Sequence, residues 1–196
     1  KENSTKEKGL FFTGYIYYLR GNFKESFKYW DNLKDEFPES SFIPQILFLK
    51  GKRLYEENNF KEAENIFKEI IGKKSIYEDD SYSYLIETLI KEKKFEEGEL
   101  YAKKFLEKKK DTKIEFFLGK ILYLKKENDK AEEIFRNLKV DNPVIKAELT
   151  YYLGEIYKTK GDIEKAREKF IEVISLYPQY KEWKGLAEKS LKELKK

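Results

Sequence analysis

The side chains of this sequence that could do chemistry are carboxylates, amines and phenols. Its 196 residues include 37 acidic side chains, 41 basic ones and 15 tyrosines, but no histidine and no cysteine. Acids cluster in Glu78-Asp79-Asp80 and in Glu96-Glu97, and two carboxylates can divide acid–base work when their surroundings separate their pKa values. Both clusters lie at or near predicted helix starts, where acids favour the helix dipole. We therefore expect no catalytic pair and predict that the protein is not an enzyme.

The lack of histidine and cysteine removes several other kinds of site. A serine or cysteine nucleophile activated by histidine cannot be assembled, and neither can a zinc site built on cysteine and histidine. The sequence also lacks the glycine-rich phosphate loop and the aspartate-rich loop that binds calcium. We therefore expect no metal ion and no cofactor.

Charges of both signs alternate along the chain. They make up 40% of the residues, with a formal net charge of +4, and runs such as Lys61-Glu62-Ala63-Glu64 are typical of solvated helix faces. The densest basic run, from Lys103 to Lys113, is interrupted by Glu107 and Asp111, so we expect no nucleic-acid partner. No apolar run reaches the roughly 18 residues that a membrane-spanning helix needs.

Small residues, aromatic residues and helix breakers recur at fixed offsets. Gly154 is followed 12, 16 and 24 residues later by Ala166, Phe170 and Pro178. The same pattern begins at three other glycines, in the sets Gly119, Ala131, Phe135 and Pro143; Gly14, Ser26, Trp30 and Pro38; and Gly51, Ala63, Phe67 and Ser75. A fifth, degenerate copy consists of Ile86, Gly98, Ala102 and Lys110. Successive copies begin 33 to 37 residues apart.

Each copy reads as two helices joined by a short turn. Gly154 falls inside the first predicted helix, where glycine costs about 1 kcal/mol relative to alanine. We interpret it as a packing position that lets the second helix approach closely. In the turn, we expect Gly161 to adopt a left-handed conformation and Asp162 to cap the next helix. Asn128 replaces the apolar residue that begins the second helix in the other copies, so we expect a looser turn there.

Small residues, an aromatic and a breaker at a period near 34 resemble the tetratricopeptide repeat family. The resemblance implies an all-α fold, a right-handed superhelical array of about five helical hairpins with a C-terminal capping helix. It covers roughly residues 7–180, in repeats of about 7–43, 44–78, 79–111, 112–146 and 147–180. Residues 1–6 are predicted to form a flexible tether, and residues 181–196 the capping helix.

In this family the first helix of each repeat lines a concave groove. The resemblance therefore implies a non-enzymatic scaffold that binds a partner protein or peptide in that groove. The implied partner-binding residues are Phe11, Tyr15, Tyr18, Phe48, Lys52, Tyr55, Phe116, Lys120, Tyr123 and Tyr151. Aromatic residues at helical spacing also form hydrophobic cores, and this alternative stays open for the same residues.

One binding mode of the family can be judged from the sequence. Members that bind chaperones hold a C-terminal carboxylate with a fixed set of lysine, asparagine and arginine. The matching places here hold Phe11, Tyr15, Leu49 and Tyr84. We therefore expect no binding of chaperone tails.

The connection from Glu36 to Pro44, and Tyr177-Pro178 near the end, are similar to linkers of bacterial cell-envelope tetratricopeptide proteins. These include the lipoprotein of the outer-membrane barrel-assembly machinery and the periplasmic coordinator linked to the Tol-Pal system. The similarity implies a periplasmic or membrane-tethered scaffold, and it is compatible with a lipid anchor upstream of Lys1. The alternatives are a cytoplasmic location, and a regulatory or substrate-recruiting module of a larger protein whose catalytic part is absent. The sequence predicts no oligomeric state.

Overall fold

The computed structural model describes residues 2–194. Within this range it contains eleven α-helices and no β-strand. The all-α prediction is thereby confirmed for this part of the chain. The helices are α1 (Glu2–Leu19), α2 (Phe23–Glu36), α3 (Ile43–Glu56), α4 (Phe60–Ile70), α5 (Glu78–Lys91), α6 (Phe95–Leu106), α7 (Thr112–Leu124), α8 (Asn128–Asn137), α9 (Pro143–Thr159), α10 (Ile163–Leu176) and α11 (Lys181–Glu193).

Short turns connect α1 to α2, α3 to α4, α5 to α6, α7 to α8 and α9 to α10, and α11 follows α10 along the chain. The described residues fall into two compact units, the first ending at Thr88 and the second beginning at Leu89, inside α5. Unit 1 contains the hairpins α1/α2 and α3/α4. Unit 2 contains α6, the hairpins α7/α8 and α9/α10, and α11.

The five hairpin turns share one backbone conformation. A residue with positive φ stands seven places after each register point, at Gly21, Asn58, Lys93, Lys126 and Gly161. The next residue donates its N–H to the carbonyl five residues earlier, as Asp162 does to Tyr157 at 2.9 Å, which satisfies an orphan carbonyl of the first helix. Asp162 also accepts a hydrogen bond from the N–H of Lys165 at 3.3 Å, so the predicted cap is confirmed.

The prediction of a looser turn before α8 is wrong. Lys126 has a φ of 69°, and the N–H of Glu127 donates to the carbonyl of Leu122 at 2.9 Å, as in the other hairpins. The turn is held by backbone bonds to the preceding helix. Asn128, the first residue of α8, therefore leaves the conformation of the turn unchanged.

The glycines of the first helices lie directly under aromatic rings of the second helices. A Cβ atom placed on Gly154 would lie 2.6 Å from Phe170, and one placed on Gly119 would lie 2.5 Å from Phe135. A Cβ atom on Gly51 would lie 2.8 Å from the Phe67 ring, and one on Gly14 would lie 2.5 Å from the Trp30 ring. All four rings have at most 2% of their surface exposed. The interpretation of these glycines as packing positions is confirmed.

The predicted capping segment forms α11 over Lys181–Glu193. Ala187 on this helix is fully buried, and the Ser190 hydroxyl donates to the Glu155 carboxylate of α9 at 2.5 Å. Glu188 and Lys192 are exposed, which gives the helix the polar outer side that a terminal helix needs. Residues 195 and 196 lie outside the described residues.

Helix α1 begins at Glu2, so residues 2–6 are helical where the sequence predicted a flexible tether. Glutamate and lysine are good helix formers, and the Lys6 amine lies 2.5 Å from the Glu36 carboxylate at the end of α2. This ion pair is exposed, so its contribution is at most about 1 kcal/mol. Lys1 lies outside the described residues.

Gly154→Ala should destabilise the protein by about 1–3 kcal/mol, because the added methyl group displaces the Phe170 ring from a packed core. Gly185→Ala is the matched control. Gly185 lies inside α11, and a Cβ there has nothing within 4 Å, so helix propensity alone predicts a gain of about 0.5–1 kcal/mol. Urea denaturation of both variants measures the difference. A gain in stability from Gly154→Ala would contradict the packing role.

Candidate functional site

The packing glycines fix which side of each first helix is free. Successive helical residues are about 100° apart around the axis, so residues one and four places after the glycine share a side next to the packed one. In unit 1 these residues are Tyr15, Tyr18, Lys52 and Tyr55, and in unit 2 they are Lys120, Tyr123, Glu155 and Lys158. All eight are half-buried. We call each set the first-helix face of its unit.

The first-helix face of unit 1 is built around the half-buried ring of Tyr84 on α5. The ring of Tyr55 lies 5.5 Å from that of Tyr84, and the Lys52 amine lies 5.9 Å from its centre. The Tyr18 hydroxyl donates to the carbonyl of Leu49 at 3.5 Å, which joins α1 to α3. These contacts hold two tyrosines and one amine on the same side of unit 1.

Burial sets the ionisation of Tyr55. Burial raises the pKa of Tyr55 far above its ordinary value of 10.0, and the Glu87 carboxylate, which accepts a hydrogen bond from the hydroxyl, raises the pKa further. The phenol therefore stays neutral at any physiological pH.

The first-helix face of unit 2 has its charges already paired. The Lys120 amine lies 2.5 Å from the Glu148 carboxylate, and both side chains are less than 20% exposed. The Tyr123 ring lies 4.9 Å from that of Tyr152. Burial, with a smaller contribution from the nearby Glu155 carboxylate, raises the pKa of Tyr123 from 10.0 to about 12.

Tyr151 contacts the capping helix. Its ring lies 5.7 Å from that of Trp183 on α11 and 5.9 Å from that of Phe170 on α10. The residue is half-buried, and burial raises its pKa above 10.0. This tyrosine therefore combines a packing role with a partly accessible edge.

Three of the ten sequence-predicted site residues belong to the core. Phe11, Phe48 and Phe116 are 4%, 8% and 1% exposed, too little to anchor a partner. Each lies three places before its packing glycine, on the side that meets neighbouring elements. Phe42 of the linker stacks on Phe11 at 4.1 Å, and Tyr77 stacks on Phe48 at 5.1 Å. The core alternative thus describes these three residues, and the other seven stay candidates.

Two residues of unit 1 were not among the predicted site residues but join them in the structure. Tyr84 is the ring at the centre of the face, and Glu87 accepts the Tyr55 hydrogen bond. Glu87 stands one place after Ile86, which occupies the glycine position of the degenerate copy. The register of the resembled family already places Glu87 on the groove side of that copy; its proximity to Tyr55 is what the sequence does not encode.

The two faces differ in free charge. Lys52 makes no ion pair with the side chains described for residues 3–194, whereas Lys120 is bound to Glu148. Unit 1 therefore presents an amine beside phenol rings, a combination that can receive a carboxylate and an apolar side chain. Among residues 3–194, whose side chains the structure describes, no group of three acidic side chains converges as a metal-ligand set. No helix in the described part of the chain is both long enough and apolar enough to cross a membrane.

Comparisons with known proteins support the tetratricopeptide resemblance. The family model "Tetratricopeptide repeat" matches residues 10–40 and 149–180, within the predicted first and fifth repeats. A comparison with curated protein sequences gives no match.

Solved structures show the same fold at low sequence identity. YrrB, described in its crystal structure as a TPR protein with an unusual peptide-binding site, is 19% identical; the match covers 93% of this chain and 90% of that one, with a TM-score of 0.73. A tetratricopeptide repeat protein from Parabacteroides merdae is 12% identical, over 93% and 71% of the two chains, with a TM-score of 0.76. TTC0263 from Thermus thermophilus is 18% identical, over 94% and 98%, with a TM-score of 0.58. The fold is therefore built of tetratricopeptide-type helical hairpins.

The raised pKa of Tyr123 gives a test of this local structure. The difference in tyrosinate absorbance between wild type and Tyr123→Phe should have a midpoint near pH 12. The folded state binds the Tyr123 proton more tightly than the unfolded state does. The resulting stabilisation of the fold is complete below pH 10 and is lost as the pH rises towards 12. A midpoint near pH 10 would place the Tyr123 hydroxyl in water and contradict the packing against Tyr152.

Proposed function

We propose that this protein is a non-catalytic binding scaffold whose first-helix faces hold a peptide segment of a partner protein. The main support is that half-buried tyrosine and lysine side chains recur one and four residues after the packing glycines, beside positions that are fully buried. A side chain needed only for packing would be buried, as Phe116 is, and one needed only for solubility would be fully exposed. The half-buried state leaves a rigid ring edge available to a partner.

Tyrosine suits such a face because it combines a large apolar ring with a hydroxyl and loses little conformational freedom on binding. The rings of Tyr18 and Tyr55 are already held by their neighbours. Tyr18 lies 5.5 Å from Trp30, and Tyr55 lies 5.7 Å from Phe60. Binding energy is then not spent on ordering these side chains, which is the benefit of a preorganised site.

The charge difference between the faces favours unit 1 as the principal peptide site. An amine without an ion pair, Lys52, gains a partner when a carboxylate binds. Lys120 would first have to leave Glu148. YrrB, which has the same fold, is described as having a peptide-binding site. At 19% sequence identity its similarity to this chain shows the shared fold alone.

We also propose that the scaffold works in a bacterial envelope assembly, in the periplasm or tethered to a membrane. The support for this is the similarity of the Glu36–Pro44 linker and of Tyr177-Pro178 to envelope tetratricopeptide proteins. Fractionation of cells of the native organism, with detection by a specific antibody, distinguishes an envelope location from a cytoplasmic one. Recovery of the protein in the cytoplasmic fraction alone would refute the envelope location and leave the peptide-binding proposal standing.

Peptide binding is tested with peptides selected on the full chain from a random library. Tyr15→Ala combined with Lys52→Ala should weaken binding of such a peptide about 30-fold, or about 2 kcal/mol, because an anchor ring and a charge partner are lost together. Fluorescence anisotropy with a labelled peptide measures the affinity. Circular dichroism checks that the variant is folded.

The matched control is Tyr29→Ala combined with Lys28→Ala, which removes the same residue types from the second helix α2. Tyr29 is half-buried and stacks on Tyr17 at 5.6 Å, and Lys28 is exposed. The control should bind the peptide as the wild type does. Equal losses in the two double variants, or full binding by Tyr15→Ala with Lys52→Ala, would refute the first-helix face as the site.

A further inference from the structure

A notch opens in unit 2 where helix α8 ends early. This helix has 10 residues, whereas α10 has 14, and the chain from 138 to 142 is not helical. The notch lies between α8, this segment, α9 and α10, and its volume is about 560 Å³. Buried side chains of α9, among them Leu149 and Leu153, form its floor. It belongs to neither first-helix face.

The segment beside the notch behaves like a strand without a partner. Leu138 and Val140 are half-buried on the protein side, and Lys139 and Asp141 are exposed, the alternation of an extended chain. Backbone N–H and C=O groups of such a chain point sideways along the surface. Within residues 2–194, no backbone hydrogen bond uses those groups of Lys139, Val140 or Asp141. An extended peptide can pair with groups of this kind.

The lining of the notch is predominantly cationic. Its charged residues are Arg136, Lys139, Lys146, Lys169, Asp141 and Glu172. Four basic and two acidic side chains give the lining a formal charge of +2. Lys169 is already paired with Glu172 at 2.7 Å, but Lys139 and Lys146 make no ion pair with any described residue. These two amines favour an acidic ligand.

Gaps between second helices differ in size along the chain. The gap between α6 and α8 holds a space of about 560 Å³, as large as the notch, whereas the gap in unit 1 is much smaller. In unit 1 the gap between α2 and α4 is bridged by Lys34 and Glu69, whose charged atoms are 3.0 Å apart. The space that remains there is about 110 Å³. No ion pair between described residues joins α8 to α10 in the same way.

We propose that this notch is a second binding site, which takes an extended acidic peptide segment of a partner protein. The backbone of the peptide pairs with residues 139–141. Its carboxylates lie against Lys139 and Lys146, and its apolar side chains enter the notch over Leu149 and Leu153.

The test uses a blocked five-residue peptide of alternating glutamate and valine, titrated into the ¹⁵N-labelled full chain. The amide signals of Lys139, Val140 and Asp141 should shift and saturate. Lys139→Glu combined with Lys146→Glu should lower the affinity at least about tenfold. The control, Lys181→Glu with Lys189→Glu on exposed positions of α11, makes the same change in net charge and should change the affinity less than about twofold.

Three outcomes would overturn the proposal. The first is equal binding of the matched peptide in which lysine replaces glutamate, which would show that charge does not select the ligand. The second is a set of shifts confined to α1 and α3, or no saturable shift at all. The third is equal weakening in the α11 control, because binding would then follow net charge and not this notch.

Val140→Pro tests the backbone pairing separately. Proline removes the N–H of residue 140, which has no partner in the folded chain, so the melting temperature should stay close to that of the wild type. Binding of the glutamate–valine peptide should nevertheless fall about tenfold, because a ladder hydrogen bond is lost. Binding by a folded Val140→Pro variant at the wild-type level would refute the strand-like mode.

Discussion

The contact between a first-helix glycine and a second-helix aromatic ring is the constraint on which the hairpins α1/α2, α3/α4, α7/α8 and α9/α10 depend. With no side chain at Gly14, Gly51, Gly119 or Gly154, a Trp or Phe ring occupies the space where a Cβ would stand. The cost of glycine inside a helix, about 1 kcal/mol, is offset by burial of a ring, which contributes several times that amount through its apolar area. The contact also fixes the rotation of the first helix about its axis. The residues one and four places later are thereby directed to the side of the hairpin.

Much of the fold follows from spacing alone. The offsets from glycine to small residue, aromatic and breaker define the hairpins, and Gly161-Asp162 predicts its turn, because these are interactions inside one repeat. What the spacing does not encode is contact with neighbouring elements. Phe11 and Phe48 have the right type and place for a groove, yet the rings of Phe42 and Tyr77 cover them. The early end of α8 is likewise invisible in the pattern, since Pro143 stands at the ordinary offset from Gly119.

The two units use the same register place differently. The residue after the packing glycine is Lys52 in α3 and Lys120 in α7. Of these two amines, only Lys120 is paired with a carboxylate. A carboxylate ligand can therefore gain a charge partner in unit 1 without breaking an existing one. Repeats that share one backbone can thus differ in charge pairing through the identity of a single neighbour, Glu148 in this case.

A double-mutant cycle on Gly119 and Phe135 tests the central constraint most directly. Gly119→Ala and Phe135→Leu are measured singly and together by denaturant unfolding. If the ring occupies the space above the glycine, the smaller leucine leaves room for the methyl group, and the double variant is more stable than the sum of the single effects by about 1 kcal/mol or more. Effects that add within about 0.5 kcal/mol would show that the glycine and the ring are not coupled, and would contradict the account.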